Sequence, residues 1–192
     1  MRRPARRSRR KTPEAAAADT ASQGEGGRWA VFVLTLPGDE DRRVPLLREL
    51  GRQGIEHQLF FGADGRQGLS SEMKREVDRP GTLRELRRPM TDGEYACALS
   101  HRAIHRRIVA DDLDAALVLE DDAIVSPRPG AFVEAGGLFV RPMILLDRQR
   151  VRVVRSSGDP FPPFGRLWRV VGSSALTTGY AVSHDAARHL DA

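Results

Sequence analysis

The apolar run from Trp29 to Leu36 is the feature that most constrains the fold. It is nearly continuous, and Pro37-Gly38 ends it. Such a run is typical of a strand that is covered on both faces of a parallel sheet. A second run, Ala115 to Leu119, has the same character. The two runs predict a buried sheet rather than a helical bundle.

Helical patterns separate these runs. Leu46, Leu47 and Leu50 give an apolar stripe to a helix over residues 39–54. Thr91-Asp-Gly-Glu94 has the spacing of a capping box and predicts a helix that runs to about residue 110. Because strands alternate with helices, we predict an α/β fold. Further strands are predicted over 57–61, 143–146, 151–154 and 178–183, and a helix from 184, whereas 66–90 and 126–142 give no clear pattern.

The positive charge is concentrated at the amino terminus. Residues 1–28 hold eight Arg or Lys and three acids, which accounts for the whole net charge of +5. With nothing large to bury, residues 1–28 are predicted to be a disordered tail and 29–192 one domain. The tail is either simply solvated or a contact for anionic membrane. No nucleic-acid fold motif accompanies it, so no specific nucleic acid is expected.

The cellular setting is suggested by two simple features. Cys97 is the only cysteine, so no disulfide forms within the chain, which fits a reducing compartment. The chain lacks a run of about 18 apolar residues, the length that a transmembrane helix needs. We therefore expect a cytoplasmic protein, with peripheral contact at the inner membrane as the alternative.

Three consecutive acids, Glu120-Asp121-Asp122, directly follow the strand at 115–119. Adjacent acids usually form a solvated loop, because like charges repel. Their place at the carboxyl end of a buried strand, where α/β sheets bind ligands, favours a site. Mn²⁺ or Mg²⁺ suits carboxylate oxygens and would bridge a nucleotide diphosphate.

The helix that starts at Thr91 places Glu94, Ala98, His101 and His105 on one face. His101 and His105 have the i, i+4 spacing of two metal ligands. The alternative is that they are imidazoles with ordinary partners, and we favour it for His105.

Taken together, these segments resemble glycosyltransferase family 25, the lipopolysaccharide-type glycosyltransferases. The resemblance extends over about residues 30–190, with a weaker echo at Thr177-Thr-Gly-Tyr180. Four sequence blocks carry the resemblance, and the third and fourth are the ones specific to this family. The four blocks are Val31-Phe-Val-Leu-Thr-Leu36 with Asp41-Arg-Arg43, Phe61-Gly-Ala-Asp-Gly65, Thr91-Asp-Gly-Glu-Tyr-Ala-Cys-Ala-Leu-Ser-His101, and Leu117-Val-Leu-Glu-Asp-Asp122.

The resemblance implies a GT-A-like fold, with a Rossmann-type sheet flanked by helices, and transfer of a hexose, commonly galactose, with inversion. It implies a UDP-sugar donor and a surface glycan acceptor such as lipopolysaccharide. Glu120-Asp121-Asp122 would be the counterpart of an Asp-x-Asp motif. Asp122 would hold the metal, and Glu120 either the metal or the ribose side. His101 and Glu94 are the candidates for the base that activates the acceptor.

The same resemblance places the remaining candidate residues on the donor side. Arg42 and Arg43 suit the diphosphate, although a solvated helix face is equally open. Asp64 would bond the nucleoside or simply cap its turn. Ser100 would border the sugar, and Thr35 stands where the family usually has asparagine.

The family pattern also raises a rival hypothesis. Family members usually continue past the Tyr180 block, so we expect a domain that is incomplete at its carboxyl end. The rival is a truncated, non-catalytic relative that binds nucleotide sugar, nucleic acid or anionic membrane. The intact acidic triplet favours the enzyme. The donor sugar, the acceptor, the linkage and the oligomeric state do not follow from the sequence.

Overall fold

A computed structural model describes residues 21–24, 27–126, 128–147, 151–172 and 177–191. Most of the predicted disordered tail, residues 1–20 and 25–26, lies outside these ranges. Of the rest of that tail, Ser22–Gly24 and residues 27–28 lie in strands. The strand predicted from Trp29 therefore begins two residues earlier, at Gly27.

The helices and strands alternate along most of the chain, and the α/β prediction is confirmed. None of the described helices combines the length and the apolar character needed to cross a membrane. The helices are α1 (Glu40–Arg52), α2 (Ser71–Arg75), α3 (Arg79–Leu86), α4 (Asp92–Ala110), α5 (Pro129–Glu134) and α6 (His184–Asp191). The strands are β1 (Ser22–Gly24), β2 (Gly27–Thr35), β3 (Gln58–Phe61), β4 (Ala115–Glu120), β5 (Met143–Leu145), β6 (Arg152–Val153), β7 (Asp159–Phe161), β8 (Gly165–Leu167), β9 (Val170–Val171) and β10 (Gly179–Ser183).

The central sheet is mixed rather than wholly parallel. Its order is β1-β2-β4-β10-β5, and β3 pairs with the same strand β2. β2 runs parallel to β3 and β4, as predicted for the apolar runs. β10 is antiparallel to both β4 and β5, so it joins the sheet from the opposite direction. Two small hairpins, β6 with β9 and β7 with β8, lie outside this sheet.

Both faces of the central strands are covered, which explains the unbroken apolar runs. Val31 and Val33 of β2 pack on one face, in a cluster that includes Leu46 and Leu50 of α1. The alternate side chains of β2, such as Phe32, pack on the other face, in a cluster with side chains of α4. Successive side chains of a strand point to opposite faces, so both sets must be apolar.

The segment without a clear pattern, residues 66–90, contains α2 and α3. Both begin at side-chain caps: Ser70 Oγ accepts from the Met73 amide, and Asp78 accepts from the Gly81 amide. Neither helix has a buried residue. Because no apolar stripe is required of such a helix, its sequence lacks the periodicity that reveals α1.

The turn after β3 packs closely on the first turn of α4. A Cβ atom at Gly65 would lie 2.5 Å from the carbonyl oxygen of Asp92 and 2.8 Å from the Cβ of Ala96. Backbone and a Cβ atom cannot rotate away. We therefore expect Gly65→Ala to lower the free energy of unfolding by about 1–2 kcal/mol, measured by urea denaturation.

Gly51→Ala is the matched control, because it makes the same substitution inside α1, where a Cβ atom meets nothing within 4 Å. There the change should stabilise the protein by about 0.5–1 kcal/mol, since alanine favours helix. Equal effects of the two substitutions would contradict the close approach at Gly65.

Candidate functional site

The carboxyl ends of the three parallel strands meet at one edge of the sheet. Thr35 pairs with Phe61, and Leu34 with Glu120, so β2, β3 and β4 end side by side. A cleft of about 170 Å³ opens at this edge. Its lining residues are Leu34, Thr35, Leu36, Asp39, Arg42, Ala63, Asp64, Gly65, Arg66, Gly93, Cys97, Ser100, Glu120 and Asp121. A second cavity of about 220 Å³, beside α3 and α4, contains none of the predicted site residues.

Asp121 is a buried carboxylate that lines this cleft. Its Oδ2 accepts a hydrogen bond of 2.8 Å from Thr35 Oγ1, and its Oδ1 lies 2.9 Å from Arg42 Nε. A second guanidinium nitrogen of Arg42 lies 2.6 Å from Asp122 Oδ2. A buried carboxylate needs a counter-charge, and Arg42 supplies it. Arg42 thus joins two of the three acids.

Arg43 points to the strand end instead of the cleft. It donates to Thr35 Oγ1 at 3.3 Å, pairs with Glu40 and lies over the ring of Phe61. It is not among the residues that line the cleft. Of the two arginines predicted to face phosphate, the structure brings Arg42 to the cleft and leaves Arg43 beside it.

Glu120 is held from two directions. Its Oε1 accepts a hydrogen bond of 2.6 Å from Thr177 Oγ1 and lies 3.3 Å from His101 Nε2. The other ring nitrogen of His101 lies 2.9 Å from the Tyr180 hydroxyl, which is 3.1 Å from His105 Nε2. This chain of contacts runs from the cleft into the interior between α4 and β10.

The two histidines of α4 have opposite pKa shifts. Burial lowers the pKa of His101, but hydrogen bonds with Cys97 and Glu120 outweigh it and raise the value to about 9. Burial and then the charge of His101 lower the pKa of His105 to about 4. The hydrogen bond from His101 also lowers the pKa of Glu120. At neutral pH, His101 is therefore a cation beside a carboxylate, and His105 is neutral.

Ser100 fastens the turn after β3 to α4. Its hydroxyl donates to the Ala96 carbonyl at 2.7 Å and accepts from the Ala63 amide at 2.8 Å. Since both of these bonds are made within the protein, Ser100 shapes the cleft wall that it lines. Ser100 lines the cleft with a structural partner on each side, and its contact with a sugar stays a prediction.

Asp64 caps its own turn and also lines the cleft. It accepts from the Arg66 amide at 2.9 Å and pairs with the Arg66 guanidinium at 2.8 Å, which lowers the pKa of Asp64. Arg66 also lies 2.9 Å from Asp39 Oδ1. Arg66 was missed by the sequence reasoning, although an arginine two residues after Asp64 was a usable signal.

Glu94 belongs to the helix start rather than to the cleft. Both halves of the predicted capping box with Thr91 are present, and Arg88 pairs with the same carboxylate at 2.6 Å. The hydrogen bond from Arg88, followed by that from the Thr91 amide, lowers the pKa of Glu94 to about 2. A carboxylate so strongly paired is a weak base, so the contacts do not favour Glu94 as the base.

The candidate metal ligands divide into two sets. Glu120 and Asp122 offer carboxylate oxygens, which suit Mn²⁺ or Mg²⁺ by donor type. Oε2 of Glu120 and Oδ1 of Asp122 accept no hydrogen bond within the part of the chain that the structure describes. Among the described residues, the group of three ligand atoms that lie within 4.8 Å of one another is formed by Cys97, His101 and Glu120.

Comparison with known proteins assigns this chain to a family. The family model described as glycosyltransferase family 25 (LPS biosynthesis protein) matches residues 29–191. The chain belongs to this family. The suspected resemblance is therefore confirmed.

Three relatives show the range of glycosyltransferase family 25. The chain is 33% identical over 95 residues to procollagen galactosyltransferase 2 of Homo sapiens, 48% of this chain and 15% of that protein. It is 34% identical over 169 residues to a glycosyltransferase 25 family member of Aedes aegypti, 83% of this chain and 27% of the relative. It is 21% identical over 169 residues to the lipooligosaccharide biosynthesis protein lic2B of Haemophilus influenzae, 84% of this chain and 62% of the relative. The chain thus spans less than two thirds of each.

Proposed function

We propose that this chain is a glycosyltransferase domain that binds a UDP-sugar in the cleft and transfers its hexose to a glycan. The observation that carries the proposal is the meeting of Arg42 with Asp121 and Asp122 at the carboxyl edge of the parallel strands. That edge is where α/β sheets bind their ligands, and the chain belongs to glycosyltransferase family 25. Relatives named as a galactosyltransferase and a lipooligosaccharide biosynthesis protein support galactose and a surface glycan such as lipopolysaccharide.

Two cleft arginines supply the positive charge that a diphosphate needs. Arg42 and Arg66 both line the cleft and are half-exposed, so their guanidinium groups are within reach of an incoming ligand. Guanidinium groups bind phosphate oxygens through paired hydrogen bonds. If the diphosphate takes the Arg42 nitrogen that now pairs with Asp122, Asp122 becomes available to a cation while Arg42 Nε stays beside Asp121.

The carboxylates would then hold the divalent ion. Glu120 and Asp122 would bind Mn²⁺ or Mg²⁺, which would neutralise the diphosphate as it leaves. Asp121 keeps its hydrogen bond to Thr35 and fixes the strand end. Asp64 lines the opposite side of the cleft and is proposed to contact the nucleoside.

His101 is proposed to act at the reacting groups, through the charge that it carries. Its pKa of about 9 keeps the ring protonated at neutral pH. A protonated imidazole stabilises a departing diphosphate by charge, and its basic form removes the acceptor proton only after the ring has lost its own. Tyr180 holds the ring in place from the interior side.

Donor binding is tested by thermal unfolding of the full chain. Mn²⁺ with UDP is expected to stabilise the protein by about 2.7 kcal/mol when the ligand is at a hundredfold excess over its dissociation constant. The measurement is the melting temperature with UDP, GDP or CDP and with Mn²⁺ or Mg²⁺. No shift with any pair would contradict a donor site in the cleft.

Arg42→Met and Arg48→Met make a matched pair for this test. Both residues lie on α1, but Arg48 is exposed and does not line the cleft. We expect Arg42→Met to remove most of the shift and Arg48→Met to keep it. Shifts of equal size would place the nucleotide elsewhere.

The rival function is a non-catalytic relative that binds nucleotide sugar. It predicts the same melting shift without release of sugar from the donor. Its proposed membrane contact rests on the tail at residues 1–28, of which 1–20 and 25–26 lie outside the described residues. Sugar release from UDP-galactose and UDP-glucose therefore separates the two proposals.

A further inference from the structure

The wall of the cleft brings together a thiol, an imidazole and a carboxylate. Cys97 and His101 are four residues apart on α4, so their side chains share one face of the helix. Glu120 reaches the same place from the end of β4. One ligand atom from each of the three lies within 4.8 Å of the others.

The imidazole of His101 is oriented by a buried tyrosine on the side away from the cleft. Its Nδ1 lies 2.9 Å from the Tyr180 hydroxyl, which turns Nε2 toward Glu120. Tyr180 is itself buried and contacts His105 Nε2, so its position is fixed. Metal-binding histidines are oriented in this way by a hydrogen bond at the second ring nitrogen. Thr177 holds the carboxylate of Glu120 in the same manner.

We propose that Cys97, His101 and Glu120 bind one thiophilic divalent cation, Zn²⁺, with a fourth position open to the cleft. A set of sulfur, nitrogen and oxygen donors is one that Zn²⁺ accepts, whereas Mn²⁺ and Mg²⁺ prefer oxygen. The ligand atoms of a tetrahedral zinc ion lie about 3.5 Å apart, so small side-chain rotations close the present spacing. Binding releases the proton of His101 and that of the thiol.

This cation site goes beyond the proposed transfer activity, and its existence does not depend on that activity. It shares Glu120 with the carboxylates assigned to Mn²⁺ or Mg²⁺, and Cys97 lines the same cleft. An ion held there would occupy the cleft wall and take a ligand from the donor-side metal. Zn²⁺ is therefore expected to compete with Mn²⁺ and UDP for the cleft.

Cobalt titration of the full reduced chain tests the site directly. Co²⁺ stands in for Zn²⁺ and gives a thiolate-to-cobalt absorption band only when sulfur is a ligand. Cys97 is the only cysteine of the chain, so such a band reports this site alone. We expect one equivalent of Co²⁺ to give the band, and Zn²⁺ to remove it by displacement.

Variants decide the ligand set. Cys97→Ser should abolish the band, and Tyr180→Phe should weaken Co²⁺ and Zn²⁺ binding by about tenfold or more through loss of ring orientation. Asp122→Asn should leave the band unchanged, which separates this site from the carboxylate site. Far-ultraviolet circular dichroism checks that each variant is folded. A folded wild type without the band, or a band that depends on Asp122, would overturn the proposal.

Discussion

Asp122→Asn is expected to reduce sugar transfer by at least about a hundredfold while leaving the fold intact. Asparagine keeps the size of the side chain and one oxygen but removes the charge proposed to hold the divalent ion. The departing diphosphate would then carry its charge unaided, which costs several kcal/mol of transition-state stabilisation. The side chain is about half exposed and its partner Arg42 also pairs with Asp121, so little stability is lost.

Asp112→Asn is the control, because it removes the same charge from an exposed turn before β4. Asp112 has a left-handed backbone with φ of 52°, a conformation that asparagine also adopts. The measurement is sugar release from UDP-galactose and UDP-glucose with Mn²⁺. Activity that persists in Asp122→Asn contradicts the metal assignment. A wild type that binds donor without releasing sugar supports the non-catalytic relative.

The strands of the sheet were predictable because their signal is local. The side chains from Trp29 to Leu34 in β2 and from Ala115 to Leu119 in β4 pack in the two apolar clusters, so the sequence alone carries the pattern. The capping box at Thr91 is equally local, since its two hydrogen bonds join residues three apart. Because Glu120 lies at the carboxyl end of a predicted strand, its place at the edge of the sheet also followed from the sequence.

The partners of the site residues were not predictable in the same way. Arg42 and Asp121 come from distant parts of the chain, and nothing near either residue announces the other. The direction of β10 is a second case: its apolar residues fit a strand in either orientation, and in the structure the antiparallel strand brings Tyr180 to His101. Pairing across a fold depends on topology, which periodicity does not specify.

His105 is expected to make folding stability fall on the acid side of neutrality. Its pKa is about 4 in the folded protein, below the ordinary value of 6.5, so the unfolded chain takes up the proton first. Stability is therefore fully present above pH 6.5 and is lost as the pH falls toward 4. The shift corresponds to about 3 kcal/mol, of which about 2 kcal/mol is lost by about pH 5.

His101 acts in the opposite sense and over a higher window. Its folded pKa of about 9 lies above 6.5, so its stabilisation is complete below 6.5 and is lost as the pH rises through 9. Between pH 7 and pH 5, roughly, it offsets part of the loss at His105. The charged groups that act on His105 are His101, which lowers its pKa, and Asp191, which raises it.

His105→Gln isolates the contribution of His105. Glutamine keeps an acceptor for the Tyr180 hydroxyl but does not titrate, so the variant should lack the acid-side loss of about 2 kcal/mol. Urea denaturation at a series of pH values measures the difference in slope, which is insensitive to any constant packing cost of the substitution. His189→Gln, at an exposed position on α6, is the control and should keep the wild-type slope. Parallel slopes for His105→Gln and the wild type would show that His105 takes up its proton as readily in the folded chain as in the unfolded one.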